Sequence, residues 1–428
     1  MALWCCPLHR RFLRVPCGFY TFLVVVTVVW AILSMIVGFN NNLEDADFLG
    51  LPACPACLGT SWCHQFLSGH LRLNFWWRLR LLNFLNHKQV FFGQFLDAKQ
   101  GWVSVVFKRL ASADEILALD QRLCHEAGLP GHCNVSRAVR FSEKDRAIQL
   151  NTEAASGWSD ALRCPSRRLL QQLAKRHGED SVVSGLAHFT YTLRLNPEPV
   201  ILQAFPKSEG WPFPHYLGAC GRFIAVVNAG PGLWSFVGAP WNRRAALARD
   251  LLNLAEKLTW NDLHFSLYML DVTFDNFAVD PIDGRPVLVD AENVLVVDRE
   301  QLREAKPEGW NKWYESDSDS EKDVSCEACL TYSYTSLCNR LYHDHNFYAI
   351  CRNLLGAKAT WRGWQGGLLQ GAPPYITADG RLITLLQQCE QPTDRFKVPL
   401  KVKPKIGARV HAARELKIML DGILKGPQ

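Results

Sequence analysis

The chain has 428 residues, of which 48% are hydrophobic and 15 are Trp, enough to form one large or two medium domains with a substantial core. The formal net charge is only +6. Because the sequence contains no nucleic-acid recognition motif or strongly basic helix, we exclude nucleic acid as a partner.

An uncharged stretch of 22 residues, 18–39, is long enough to cross a bilayer as a helix. Basic residues precede it and acidic residues follow it, namely Arg10, Arg11 and Arg14, and then Glu44, Asp45 and Asp47. By the positive-inside rule, we predict a cytosolic tail over 1–17 and a signal-anchor helix over 18–39. A cleaved signal peptide is the alternative, and both interpretations place the remaining chain in the secretory pathway.

Cysteine usage agrees with an oxidising compartment, because twelve cysteines follow residue 53 and an even number suits disulfides. The Cys54-x2-Cys57 and Cys326-x2-Cys329 pairs resemble halves of a zinc site. They are far apart in the sequence, so disulfides are the favoured use of each. Cys220 is equally compatible with a free thiol and a bridge.

One sequon, Asn134-Val135-Ser136, predicts N-glycosylation at Asn134.

Two β-rich segments, 88–95 and 102–110, are separated by a turn-like sequence and predict a hairpin. A helix is predicted over 112–128, with Ser112 as its N-cap and Glu115 completing a capping box.

Farther along, 216–221 and 222–230 predict two strands, and 239–260 predicts a long helix with Pro240 in its first turn. A leucine stripe marks the buried face of this helix. The acidic run 314–323 predicts an exposed loop, and the last third of the chain is predicted to be mainly helical.

Between 277 and 290, two apolar runs flank an Asp-Gly turn and predict a hairpin. The ends of a hairpin are neighbours, so Asn276 and Asp290 should lie close together, with Asp271 on the preceding loop. Carboxylate and amide oxygens in this arrangement suit Mg²⁺ or Mn²⁺ with a substrate phosphate.

The same residues resemble a protein kinase core. Asp271 and Asn276 have the spacing of a kinase catalytic loop, and Asp290 takes the place of the metal-binding Asp. Lys108 ends an apolar strand as the kinase lysine does, and Glu115 lies on the helix that follows. Segment 222–230 resembles the strand and hinge that line a nucleotide base.

Five segments carry a more specific resemblance: CPACLGTSWC, VVFKRL, NPEPVILQAFPKSEGWPF, YLGACGR and LDVTFDNFAVDPIDG through VDAENVLV. They are similar to the divergent protein kinase domain family, in the subfamily of the deleted-in-autism protein. The resemblance covers residue 43 to the C-terminus and implies location in the Golgi or the secreted pool.

The implied fold is α+β and two-lobed, with an antiparallel sheet plus helix in the N-lobe and a mainly helical C-lobe. We predict a Cys-rich stem or N-lobe start over 40–75, an N-lobe with insertions over 76–230 and a C-lobe over 231–428.

The resemblance implies ATP and Mg²⁺ or Mn²⁺ as cofactors, and phosphoryl transfer to a hydroxyl of an unidentified lumenal or extracellular protein. In this interpretation Lys108 positions the phosphates and is held by Glu115, with Glu126 as the alternative partner. Asn276 and Asp290 bind the metal, and Asp271 orients the acceptor hydroxyl.

The sequence departs from the kinase pattern at three places. Met269-Leu270 replaces His-Arg, Ala291-Glu292 follows Asp290, and Gly93 stands alone where a glycine-rich loop is expected. These departures leave a pseudokinase that acts as a signalling or interaction protein as the alternative.

A glycosyltransferase using Asp317 and Asp319 is disfavoured, because no strand precedes that polar run. Asp275 and Glu292 remain open between additional metal ligands and solvated turn residues.

Overall fold

The structure is a computed structural model. It describes residues 17–38, 41–78, 89–139, 191–316, 330–391 and 407–425, together with Cys164, Ser166, Arg168, Leu169, Leu173 and His188. The predicted cytosolic residues 1–16, the Cys326–Cys329 pair and residues 317–323 of the acidic run lie outside this part of the chain.

The N-terminal half is built around an antiparallel sheet of β1 (Leu71–Leu73), β2 (Val90–Asp97), β3 (Gly101–Arg109), β4 (Tyr216–Cys220) and β5 (Phe223–Val227). Their order across the sheet is β1-β2-β3-β5-β4. The predicted hairpin is confirmed, with β2 and β3 paired from Val90 opposite Lys108 to Asp97 opposite Gly101.

Alternation along β3 gives its two faces different neighbours. Val105 and Phe107 pack into an aromatic cluster on one face, whereas Val106 on the other face joins the large core shared with the C-terminal half. Lys108 follows Val106 on that second face and is only 9% exposed. The strand therefore delivers an ammonium group into the space between the two halves.

The described residues of the N-terminal part include the helices α1 (Cys17–Gly38), α2 (Ala46–Leu49), α3 (Cys63–Phe66), α4 (Phe75–Arg78), α5 (Ala113–Glu126) and α6 (Glu198–Ala204). The predicted capping box at the start of α5 is confirmed. Ser112 accepts a hydrogen bond from the Glu115 backbone, and the Glu115 carboxylate accepts one from the Ser112 backbone.

α1 occupies the segment predicted to span a membrane. Across the described residues, the length and apolar character that a membrane crossing requires do not occur together in any helix. The signal-anchor helix over 18–39 therefore stays a prediction.

The C-terminal half is mainly helical, as predicted. Its helices are α7 (Trp241–Thr259), α8 (Arg299–Ala305), α9 (Tyr334–Asn339), α10 (His345–Ile350), α11 (Pro374–Thr377), α12 (Arg381–Glu390) and α13 (Ala408–Lys425), and a π-helical turn, Cys351–Leu355, continues α10. α7 begins directly after Pro240 and buries its predicted leucine stripe. This stripe packs against α10 and α13 and forms part of the hydrophobic core of the C-terminal half.

Short strands complete this half. They are β6 (Phe265–Met269), β7 (Phe277–Val279), β8 (Pro286–Leu288), β9 (Val294–Asp298), β10 (Trp313–Tyr314), β11 (Tyr342–His343), β12 (Thr360–Trp361) and β13 (Trp364–Gln365). β7 and β8 form the predicted hairpin, and β6 pairs with β9. Tyr314 and Ser316 are buried, so the predicted exposed loop does not begin at 314.

The described cysteines from Cys54 onward form the disulfides Cys54–Cys57, Cys63–Cys220, Cys124–Cys133, Cys164–Cys338 and Cys351–Cys389. The prediction of a disulfide rather than half a zinc site is confirmed for Cys54 and Cys57. Cys220, which the sequence left open, is a bridge partner.

α13 is fixed to the C-terminal core by a buried ion pair between Arg409 and Asp344. The Arg409 guanidinium also donates hydrogen bonds to the carbonyls of Cys389, Glu390 and Ser316. A buried charge pair requires such additional hydrogen bonds to offset desolvation.

Replacing Arg409 with Ala would leave the Asp344 carboxylate buried without its cation. We expect the free energy of unfolding to fall by about 3–5 kcal/mol. Arg381 of α12 forms an exposed pair with Glu415 of α13, the helix that carries Arg409, and is the matched control. Arg381→Ala should cost at most about 1 kcal/mol. Urea unfolding measures both variants, and equal losses would contradict the structural role given to Arg409.

Candidate active site

Lys108 is the point where the sheet, α6 and the β7–β8 hairpin meet. Its Nζ donates hydrogen bonds to Glu198 Oε1 at 2.7 Å and to the Val289 carbonyl at 2.5 Å. Both side chains of the ion pair are buried, with 11% and 1% of their surfaces exposed. The ion pair joins the N-terminal sheet to α6, and the hydrogen bond to Val289 joins the sheet to the residue that precedes Asp290.

The predicted partner of Lys108 is wrong. Glu198, not Glu115, forms the ion pair, and the Glu115 carboxylate caps the start of α5. Glu126, the alternative, pairs with Arg194. The physical reason is the long insertion between α5 and β4, which ends with α6 as the last α-helix before β4, and α6 carries the glutamate.

Sequence reasoning missed Glu198 because it lies in Asn-Pro-Glu-Pro, where two prolines obscured the helix signal. Proline is nevertheless favoured in the first turn of a helix, and here Pro197 is the N-cap of α6. A short helix starting at a proline just before the β4–β5 hairpin was the available signal.

The environment of Glu198 holds more negative than positive charge. Burial raises the pKa of Glu198 to about 7, the nearby Lys108 ammonium opposes this rise, and the carboxylates of Asp290 and Glu292 add to it. Three carboxylates thus gather around one ammonium. Carboxylates are ligands that Mg²⁺ and Mn²⁺ accept, but among the described residues these three are not arranged to hold a metal by themselves.

Asn196 links the glutamate that follows Asp290 to α6. Its Nδ2 donates hydrogen bonds to Glu292 Oε2 at 3.0 Å and to the Leu110 carbonyl at 3.1 Å, and its Oδ1 accepts one from the Glu198 backbone. Glu292, which the sequence left open, is therefore held in a half-buried position beside α6. No sequence pattern pointed to Asn196.

The hairpin brings Asn276 and Asp290 to the same end, as predicted. The Val289 backbone donates to the Asn276 carbonyl at 2.9 Å, and Asn276 Nδ2 donates to the Asp271 carbonyl at 3.3 Å. In the part of the chain that the structure describes, no group of three His, Cys, Asp or Glu side chains is arranged to hold a metal. Metal binding by Asn276 and Asp290 therefore stays a prediction.

Buried polar side chains after β11 hold the loop that carries Asp271. Asn346 Oδ1 accepts from the Met269 backbone, and Asn346 Nδ2 donates to the Leu267 carbonyl. His345 Nε2 lies 3.0 Å from the Met269 carbonyl. Asn353 Nδ2 donates to the Val272 carbonyl on the other side. Burial lowers the pKa of His345 to about 4, so its imidazole is neutral in this contact.

A cavity of about 330 Å³ opens beside this loop. It lies between the sheet, the backbone that follows β5 and the β7–β8 hairpin, and its lining includes Phe92, Val106, residues 226–230, Phe277 and Val289. A mostly apolar slot next to exposed backbone groups suits a planar heterocycle. This is the location that the sequence assigned to a nucleotide base.

Two tryptophans, both missed by the sequence reasoning, border the site. Trp234 lines the cavity and stacks on Trp361, with ring centroids 5.4 Å apart. Trp361 Nε1 donates a hydrogen bond to Asp275 Oδ2 at 2.8 Å. Asp275, which the sequence left open, thus anchors the β12–β13 hairpin to the loop before Asn276.

Asn134 is exposed, and its Oδ1 accepts a hydrogen bond from the Arg137 backbone. N-glycosylation at this residue remains a prediction.

Comparisons with known proteins identify relatives of this chain. A family model described as the protein-kinase domain of FAM69 matches residues 190–392, the range that begins just before α6. The chain is 47% identical over 378 residues to divergent protein kinase domain 2A of Xenopus tropicalis, covering 85% of this chain and 87% of that protein.

The chain belongs to the divergent protein kinase domain family. Identity to the human 2A protein is 46% over 393 residues, covering 88% of each chain. Identity to the human 2B protein is 32% over 358 residues, covering 80% of this chain and 78% of that one. The predicted family membership and the kinase-like α+β fold are therefore confirmed.

Among solved structures, the complex of Rv3197 with erythromycin from Mycobacterium tuberculosis aligns at 12% identity, covering 95% of each chain. Its TM-score is 0.26.

Protonation of Glu198 should make the stability of this kinase-like domain depend on pH. The folded pKa of about 7 lies above the ordinary value of 4.5, so the folded state binds the proton more tightly. This contribution is complete below about pH 4.5 and is lost as the pH rises through about 7. We expect the free energy of unfolding to fall by about 1–3 kcal/mol between pH 5 and pH 7.5.

Glu198→Gln should flatten this dependence, whereas Glu304→Gln, which changes an exposed carboxylate on α8, should leave it intact. Chemical denaturation at several pH values measures the slope. An unchanged slope in Glu198→Gln would contradict the assignment.

Proposed function

We propose that this protein is an ATP-dependent phosphotransferase that uses Mg²⁺ or Mn²⁺ and acts on a hydroxyl of a lumenal or extracellular protein. The observation that carries the proposal is the buried Lys108–Glu198 pair beside Asp290, next to the apolar cavity. ATP would supply the phosphoryl group, and the metal would neutralise its developing charge.

Each residue has one role in this proposal. Lys108, positioned by Glu198, would neutralise phosphate charge. Asn276 and Asp290 would hold the metal, and the Asp271 carboxylate would orient the acceptor hydroxyl. The neutral contacts of His345 and Asn346 would keep the Asp271 loop in place. Catalysis of this kind depends mostly on positioning and charge neutralisation.

We also propose that the protein works in the lumen of the Golgi or secretory pathway, or after secretion. The disulfides of the described residues support this location, because disulfides persist in oxidising compartments and are rare in the cytosol.

One sequence feature favours the pseudokinase as the second candidate. Residues 74–89 connect β1 to β2 and contain no glycine, so they lack the flexible residues that let a backbone approach phosphates closely. A pseudokinase of this family would keep the fold and bind a partner without phosphoryl transfer.

Thermal unfolding with and without ATP and Mn²⁺ tests nucleotide binding. Ligand at 100 times its dissociation constant should stabilise the folded protein by about 2.7 kcal/mol. Lys108→Met should remove most of this effect, and Asp290→Asn should remove its dependence on Mn²⁺. Lys312→Met alters an exposed lysine far along the chain and should respond as the natural protein does. No stabilisation of the natural protein, or equal stabilisation of Lys108→Met, would contradict the proposal.

Transfer from radiolabelled ATP to secreted proteins separates the two candidates. The phosphotransferase requires incorporation that Asp271→Asn reduces by about 10²-fold or more. Nucleotide binding without incorporation would favour the pseudokinase.

A further inference from the structure

The Cys54–Cys57 disulfide spans a Cys-Pro-Ala-Cys loop on the N-terminal half. Cys54 is partly exposed, whereas Cys57 is fully buried. Ala56 between them is also buried and packs with Leu119 and Tyr191. Cys54 is thus the more exposed residue of the bridge, and Cys57 faces the interior.

This disulfide adds little constraint to the loop. The Leu58 backbone donates to the Gly221 carbonyl at 2.8 Å, and Cys63–Cys220 already joins the following residues to β4. Ser136 Oγ also donates to the carbonyls of Ala53 and Cys54. A bridge between residues three apart removes much less unfolded-state entropy than one between distant residues. A purely structural role therefore explains it poorly.

A histidine lies beside the buried sulfur. His188 Nδ1 is 3.3 Å from Cys57 Sγ, and its ring also hydrogen-bonds the backbone of the loop at Cys57 and Pro55. A disulfide sulfur carries no hydrogen, so the imidazole is the donor in this contact. Burial lowers the pKa of His188, so its imidazole is neutral and favours a thiolate at Cys57 by donating its N–H rather than by a positive charge.

We propose that Cys54–Cys57 is a redox-active site that undergoes thiol–disulfide exchange with a partner dithiol, with His188 stabilising the Cys57 thiolate. The proposal does not depend on nucleotide binding or phosphoryl transfer.

The exchange is balanced. A partner thiolate attacks Cys54 Sγ, and a new S–S bond forms as the Cys54–Cys57 bond breaks. Cys57 leaves with the electron pair as a thiolate, which the Nδ1–H of His188 stabilises until solvent supplies a proton. The partner's second thiolate then attacks the partner sulfur of the mixed disulfide. This step forms the partner's disulfide and releases Cys54 as a thiolate, which solvent protonates. Two electrons and two protons pass to the cysteine pair, and the partner becomes a disulfide.

Redox titration of the full chain tests this proposal. The protein is equilibrated in glutathione buffers of increasing reducing power, alkylated, and mapped by peptide mass spectrometry. Cys124–Cys133 is the matched control, because it also closes a short loop. Cys54 and Cys57 should become alkylated in less reducing buffers than Cys124 and Cys133. Opening of both pairs together, or of Cys54–Cys57 last, would overturn the proposal.

Single-cysteine variants test the direction of attack. In oxidised glutathione, Cys57→Ser should accumulate a mixed disulfide at Cys54, whereas Cys54→Ser should accumulate much less, because Cys57 is buried. Equal trapping by the two variants would contradict the proposed asymmetry.

His188→Phe should slow reduction of the bridge by about tenfold, because the leaving thiolate loses its donor. His188→Gln retains a donor and should recover part of the rate. The thermal midpoints of the oxidised variants identify any folding defect. A rate that is the same in the natural protein and in both folded variants would remove His188 from the proposal.

Discussion

The contact between Lys108 and Glu198 is the interaction on which the candidate site depends. It joins the sheet to α6, and the further hydrogen bond from Lys108 to the Val289 carbonyl joins both to the hairpin that ends at Asp290. Since the two side chains are buried, either one alone would leave a charge without a partner in the interior. The pair thus fixes the relative positions of the groups that would face phosphate and metal.

Around this pair, hydrogen bonds from buried or partly buried side chains hold the polar groups of the site in place. Asn196 holds Glu292, and His345, Asn346 and Asn353 hold the loop on both sides of Asp271. The His-Arg dipeptide of ordinary kinases is replaced by Met269-Leu270, but side chains of α10 hold the Met269 backbone through hydrogen bonds. Rigid support of this kind is what a site needs when catalysis depends on positioning.

The sequence was sufficient where local patterns decided the structure. The β2–β3 hairpin, the capped helix α5, the leucine stripe of α7 and the β7–β8 hairpin all follow from periodicity and turn chemistry. Asn276 and Asp290 could be brought together for the same reason, since the ends of a tight hairpin must be neighbours.

The sequence failed where contacts between distant segments decided the structure. Lys108 and Glu198 are 90 residues apart, and the local helix signal is stronger around Glu115 than around Glu198. The same limit applies to the stacking of Trp234 on Trp361, because no local pattern brings those two loops together. Disulfide connectivity is a further case. Cys63 meets Cys220 only because the chain around Trp62 hydrogen-bonds to β4, which carries Cys220.

A double-mutant cycle between Lys108→Met and Glu198→Gln tests the central claim most directly. The free energy of unfolding is measured for the natural protein, both single variants and the double variant, and a second cycle replaces Glu198→Gln with Glu115→Gln. A coupling energy of about 1–3 kcal/mol is expected for Lys108 with Glu198, and additivity within about 0.5 kcal/mol for Lys108 with Glu115. Additivity in the first cycle together with coupling in the second would contradict the account.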